Sequence, residues 1–323
     1  MLLACNIWYS TRTSSKRYMM PPIILTSLSS SGTAKTTNFA HIGHYLAVNG
    51  YRVKIIELDN RNSLTACCGI ESKPPELSTA TIFNPNFTGR YPFAEVWREH
   101  RSNGLLEVLL AERRSQVTIE RALNSSEEAR WGNPSMGKSH FDNKGIFSLS
   151  RLFKKHPIDC DILILDCPGQ QSTLTDAAIV ASTHILIGIE PTRKCFEDAA
   201  FFLEHLYSIF QDIDRVPELL GFLPGKFNLE SSYQREGIKQ LYDQAQLLAI
   251  ELFNPIRFSP YFETAYDRGC PISAVAPSFA GVKDYLIEGN FFRRSHKGVG
   301  LFDNRFKKLP AIVPYLEKII NNV

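Results

Sequence analysis

The sequence predicts a doubly wound α/β fold, a mostly parallel sheet with helices on both faces. Short apolar runs recur at 23–27, 53–58, 161–166, 184–190 and 219–223, and helical patterns separate most of them. Strands that alternate with helices need crossover connections, and hence a parallel sheet covered on both sides. The first run, a serine-rich loop, a helical stretch and the second run follow one another in the order of a βαβ unit. In "DILILD" an apolar run lies between two aspartates, as in a buried strand, and Asp166 stands at its C-terminal end.

Composition sets the frame. The chain has 323 residues, 44% hydrophobic and 21% charged, enough for one large α/β domain or two small ones. No run of eighteen uncharged apolar residues occurs, so no transmembrane helix and no membrane partner is expected. Seven cysteines without a CxxC pair are expected to be reduced thiols in a cytoplasmic protein.

Along the chain, residues 1–22 carry no acidic side chain and lack the apolar core of a signal peptide; they read as a basic, disordered leader, with translation starting at Met1 or at Met19 or Met20. Residues 23–323 read as one domain. After the strand at 23–27, "TTNFAHIGHYLAVNG" places Phe39, Ile42, Leu46 and Ala47 at helical spacing and stops at Asn49-Gly50. Residues 72–103 and 124–145, rich in Pro, Asn, Ser and Gly, read as loop insertions. The spacing predicts amphipathic helices over 104–123 and 195–210. From 283 to 323, eight Lys/Arg face four Asp/Glu, a basic segment suited to a polyanion such as DNA or to a solvated helix face.

The chemistry centres on "SLSSSGTAKTT", residues 27–37. It follows the phosphate-loop pattern G-x-x-x-x-G-K-[ST] with Ser29 and Ala34 in place of the glycines. Gly32 is expected to take positive φ, and Ala34 to be the first helical residue. The competing reading is a serine-rich turn that contains a lysine. The strand before the loop and the helix after it favour an anion site, because a helix N-terminus directs its N–H groups and dipole at a phosphate. "GNPSMGKS" at 132–139 matches the pattern letter for letter, yet neither a strand nor a helix flanks it, so it reads as surface loop. Lys35 is expected to reach the β- and γ-phosphates, Thr36 to put its hydroxyl on Mg²⁺, and Asp166 to hold that ion through water.

Four stretches in this order, the loop with K-T-T, "GYRVKIIELDNRNSLT", "DCDILILDCPGQQS" and "ILIGIEPT", resemble the ParA/MinD family of deviant-Walker ATPases, including its carboxysome-positioning McdA branch. The resemblance covers most of 23–290. It implies a P-loop NTPase fold, ATP and Mg²⁺ as ligands, Asp59 as the carboxylate that orients the attacking water, and Glu57 in place of the family's preceding aspartate. It further implies ATP contacts from Ser30, Ser31, Gly32, Thr33, Ala34, Lys35, Thr36 and Thr37, and base-side contacts from Pro191, Thr192, Lys226 and Phe227. The family's signature lysine is Ser30 here, so another cation is expected to reach a partner's nucleotide; Arg193 and Lys194, after "IEPT", are the candidates. Tyr261 stands where the family often carries a DNA-contacting arginine, which leaves Arg257, Arg268, Arg293, Arg294 and Lys297 as DNA-binding candidates through phosphates. The implied function is an ATP-dependent homodimer on the nucleoid. It would bind DNA without sequence preference and position a cargo, with hydrolysis stimulated by a small adaptor of ParB or McdB type. Two rivals remain: an ATP-dependent binding module with little hydrolysis, and a ligase-type relative of the dethiobiotin synthetase or cobyrinate amidating class.

Overall fold

The computed structural model describes residues 23–28, 32–70, 74–98, 102–112, 119, 123, 144–290, 292 and 304–323. The leader 1–22, the segment 132–139 and the site candidates Ser30, Ser31, Arg293, Arg294 and Lys297 lie outside them.

Among the described residues one sheet of eight strands organises the fold. The strands are β1 (Ile23–Leu28), β2 (Arg52–Glu57), β3 (Ala94–Glu95), β4 (Leu105–Leu109), β5 (Ile162–Asp166), β6 (His184–Ile189), β7 (Glu218–Pro224) and β8 (Glu251–Leu252). Their order is β3-β4-β2-β5-β1-β6-β7-β8, and every pair is parallel except β3 with β4. From β1 the chain builds outward on one side, returns as β5, then continues on the other side. This reversal is the point at which open α/β sheets bind ligands.

Alternation along the strands explains the two helical layers. Leu25, Val53, Ile55, Ile162 and Ile164 face one layer, made chiefly by α1 (Lys35–Val48), α2 (Ser63–Cys67) and a C-terminal helix at Ile312–Asn322. Ile24, Ile56, Leu163 and Leu165 face the other, against α3 (Ser148–Lys155) and α4 (Thr173–Ala181). That second layer continues over β6 and β7 with α5 (Arg193–Phe210) and α6 (Ser232–Leu247). Beyond β8, α7 (Pro260–Asp267) returns to the first layer, where Phe262 packs on the core. The basic segment ends in structure: Ile312, Val313 and Leu316 are buried, and Asn49 donates to Glu317 (2.8 Å).

The helix predicted over 104–123 is corrected. Leu105–Leu109 is β4, paired in parallel with Arg52–Ile56. Its Leu106 and Val108 are buried among residues of α1, and Lys54 bridges Glu107 across the ladder (3.0 Å). Ladder pairing and a buried face outweigh the helix propensity of "LLEVLL". Helical structure does occur later in the stretch, at Ile119 and Leu123. The insertion at 74–98 is tied into the fold: 3₁₀ helices at Pro75–Leu77 and Thr79–Phe83 precede β3, Ile82 and Val96 are buried, and Thr79 Oγ1 donates to the Glu57 carbonyl (2.8 Å).

Candidate phosphate-binding site

The site forms where β1, β2 and β5 end side by side, with Ser27 and Glu57 both in register with Asp166. Gly32 has φ +91°, as a tight turn into a helix requires. Ala34 departs from the expectation: it caps α1 in the left-handed region (φ 61°, ψ 26°), and the helix starts at Lys35. The turn needs a second left-handed residue, and the sequence supplies an alanine there.

Lys35 is 7% exposed, and its Nζ donates to Asp166 Oδ1 (2.5 Å) and to the Cys167 carbonyl. Thr36 Oγ1 donates to Asp166 Oδ2 (2.8 Å). One buried carboxylate therefore gathers the loop lysine and the following hydroxyl at the N-terminus of α1. The Thr36 hydroxyl and the Asp166 carboxylate are hard oxygen donors of the kind Mg²⁺ takes. Among the described residues no cluster of three His, Cys, Asp or Glu side chains forms a metal cage. An ion that keeps its waters and binds substrate phosphates needs none.

Asp59, 7% exposed, follows β2 and accepts from Arg61 N–H (3.1 Å). Asp59, Arg61, Gly32, Lys35, Thr36 and Gly169 line a cavity of about 300 Å³, with Lys226 and Tyr266 across it. Behind them, Glu57 is fully buried. Its carboxylate accepts from Leu64 N–H (2.7 Å), Thr65 Oγ1 (2.9 Å) and Ala111 N–H (3.0 Å). Burial, reinforced by Asp166, pushes its pKa up to about 7. Glu57 thus ties the start of α2 to the end of β4 and fixes the loop that carries Asp59.

A second cavity, of about 380 Å³, adjoins the first through Ala34, Thr37 and Lys226 and is walled by Ile256, Phe258, Phe262 and Tyr266. A polar cavity at the helix N-terminus that opens into a partly aromatic one fits a nucleoside phosphate. Lys226, in a left-handed conformation (φ 52°), borders both. The preceding Gly225 lies so close to the loop that a Cβ would stand 2.8 Å from the Thr33 carbonyl. The sequence reading missed Gly225, Arg61, Asn38, Phe258, Phe262 and Tyr266, because no local pattern marks residues that meet only through the fold.

Other candidates fall elsewhere. Phe227 is 1% exposed and packs in the core near Phe292, so its ring does not face the second cavity. Pro191 and Thr192 line neither cavity; Pro191 is buried beside Gly237, and Thr192 precedes α5. Arg193 and Lys194 are exposed on the first turn of α5 and also line neither; Arg193 pairs with Glu197 (3.2 Å). Arg257 binds Asp284 through Nε (2.6 Å) and Nη2 (2.7 Å), an ion pair that commits its guanidinium inside the fold and not to DNA. Arg268 is exposed at the end of α7.

Comparison with known proteins agrees with this geometry. The family described as an AAA domain (AAA_31) matches residues 22–216. The chain belongs to this AAA-domain family, in its ParA/MinD group. It is 28% identical over 185 residues to a putative replication protein A of Sinorhizobium fredii, covering 56% of this chain and 42% of that protein. The chain therefore spans less than half the length of that relative. It is 22% identical over 253 residues to the cell division protein PomZ of Myxococcus xanthus, covering 78% of this chain and 72% of PomZ. Among solved structures, a Cyanothece McdA variant in complex with ATP superposes with a TM-score of 0.66 at 20% identity, over 81% of this chain and 95% of McdA. The ParA/MinD fold and its parallel sheet are thereby shared. Among the described residues no helix is long and apolar enough to cross a membrane.

Proposed function

We propose that this chain is a ParA-type ATPase that dimerises on Mg-ATP, binds nucleoid DNA without sequence preference and positions or partitions a cargo, a plasmid, chromosome or protein organelle. The observation that carries the reading is the convergence of Lys35 and Thr36 on buried Asp166, with Asp59 at the rim of the same cavity. The Thr36 hydroxyl and the Asp166 carboxylate would hold Mg²⁺, which would supply charge neutralisation on the phosphates. Loop N–H groups and Lys35 hold the phosphate chain, and the second cavity takes the nucleoside. Asp59 orients the attacking water, held in place by the loop that Glu57 braces. Water attacks the terminal phosphoryl, ADP leaves and inorganic phosphate is released, so the protein's contribution is positioning and charge stabilisation.

The cargo role is supported by the family and by relatives named for cell division and for carboxysome distribution. A small adaptor of ParB or McdB type is the partner this role calls for. Arg268, Arg293, Arg294 and Lys297 remain the DNA candidates; Arg257, engaged by Asp284, leaves that set. The test is binding to duplex DNA of random sequence at increasing salt, with Mg-ATP and with Mg-ADP. Binding should require ATP, and its log–log salt dependence should have a slope of roughly −0.9 per phosphate contacted. Binding indifferent to nucleotide and salt would remove the DNA step.

A further inference from the structure

In a nucleotide one phosphate is joined directly to the ribose, so where a phosphate cavity opens into a nucleoside cavity, that phosphate occupies the junction. The two cavities share four lining residues, Ala34, Thr37, Lys226 and Tyr266, which mark the junction. Among these four, Lys226 carries the positive charge. On one side the phosphate cavity runs on to Gly32, Lys35, Thr36 and Asp59. On the other the nucleoside cavity runs on to Phe258, Ser259 and Phe262.

We propose that Lys226 binds the α-phosphate, the one attached to the ribose, and so fixes where the phosphate chain of a bound nucleotide begins. The inference rests on the ATPase reading above and deepens it. The other cations of the phosphate cavity have carboxylate partners: Lys35 Nζ donates to Asp166, and Arg61 pairs with Asp59. Among the described residues Lys226 has no carboxylate partner. A half-buried ammonium that no carboxylate neutralises favours an anion beside it. The backbone that carries it is locked on both sides. Gly225 N–H donates to the Ile189 carbonyl (2.8 Å), and Phe227 N–H donates to the Ile256 carbonyl (3.0 Å). Between them Lys226 keeps a left-handed conformation (φ 52°), which a residue with a Cβ holds only where its surroundings over-determine it. Gly225 also abuts the loop at the Thr33 carbonyl, so the lysine stem starts from a fixed point beside the phosphates. A compact, rotatable ammonium suits the two free oxygens of an α-phosphate, which leaves Lys35 to the phosphates deeper in the cavity. The base lies beyond the ribose, toward Phe258 and Phe262, and so farther from the junction than the α-phosphate. The contact is therefore common to mono-, di- and triphosphates and indifferent to the base.

Displacement of a fluorescent ATP analogue by ATP, ADP, AMP and ITP tests it, in the wild-type chain and in Lys226→Met, Lys226→Gln and Lys226→Arg. Met and Gln keep a stem without the charge, and an unchanged melting temperature identifies the variants that fold. In both, affinity for ATP, ADP and AMP should fall by a similar factor, roughly tenfold as a charged hydrogen bond disappears, and ITP should lose as much as ATP. Lys226→Arg should recover most of the loss, because it restores the charge. A loss confined to ATP would put the ammonium on the terminal phosphate, and a loss shared with ADP but not AMP would put it on the next one. A loss for ATP that ITP does not share would put it on the base. Unchanged affinities would make Lys226 a solvated side chain, and a melting temperature lowered in all three variants would make it a structural one. Each of these results overturns the proposal, while ATP binding by the wild type leaves the ATPase reading standing. If the wild type binds none of the nucleotides, both fall.

Discussion

Ala34 holds a left-handed backbone that costs a residue with a Cβ ~1–2 kcal/mol. Glycine would relieve that strain but cost roughly 0.4–1 kcal/mol through the freer unfolded chain. Ala34→Gly should therefore stabilise the protein by up to about 1.5 kcal/mol in denaturant unfolding, with unchanged dependence on denaturant. A loss of stability would mean that the alanine methyl packs better than its backbone suggests. Lys35 makes a sharper case. Lys35→Ala should abolish ATP binding in nucleotide titration, whereas Lys138→Ala, in the segment that matches the motif by letter, should leave it unchanged. Loss in Lys138→Ala alone would reverse the assignment. The loop lysine was legible in the sequence because strand and helix flank it; Arg61 was not, because its place at the cavity rim depends on how the loop after β2 folds back.

Helix α1 shows how a buried element sets pH response. His41 and His44 are both buried, and burial lowers each to about 4 from an ordinary 6.5. His41 is fixed as a neutral ring, with Nδ1 donating to the Thr37 carbonyl (2.7 Å) and Nε2 accepting from Ile272 N–H (3.0 Å). The unfolded chain takes up these protons first, so the pair's stabilisation is complete above pH 6.5 and is lost as pH falls toward 4. Glu57, raised to about 7 from 4.5, acts in the opposite sense: the folded state holds its proton, and stability declines as pH rises through that window. Near pH 5.5 the two histidines tilt stability upward with pH by about 2 kcal/mol per unit, and Glu57 offsets roughly 1 of it. Replacing Glu57 by Gln should steepen the slope by about 1 kcal/mol per pH unit between pH 5 and 6, read from urea unfolding at several pH values. An unchanged slope would mean that Glu57 is ionised in the folded chain. Legibility at this scale divides by context: β1, β2, β5, β6 and β7 were readable because each is an apolar run between turns. β4 was misread, since "LLEVLL" has helical spacing and only its pairing with β2 makes it a strand. β3 and β8, two residues each, carry no periodic signal.

At the scale of the molecule, the strand order brings the ends of β1, β2 and β5 together, and those ends carry the loop, Asp59 and Asp166. The phosphate half of the site was therefore legible from three motifs at strand ends. The nucleoside half was not, since its wall comes from 256–266, distant in sequence, and the candidates nearest in pattern, Pro191 and Phe227, turn into the core. The central claim is that ATP, held between these elements, switches the chain from monomer to dimer, and that hydrolysis through Asp59 resets it. Asp59→Ala should keep ATP affinity and lose turnover, because a group that aims water contributes to the transition state and not to ground-state binding. Sedimentation of Asp59→Ala with Mg-ATP and with Mg-ADP tests this most directly: the account predicts a stable dimer with ATP and a monomer with ADP, and a monomer with both nucleotides, despite saturated ATP binding, would contradict it.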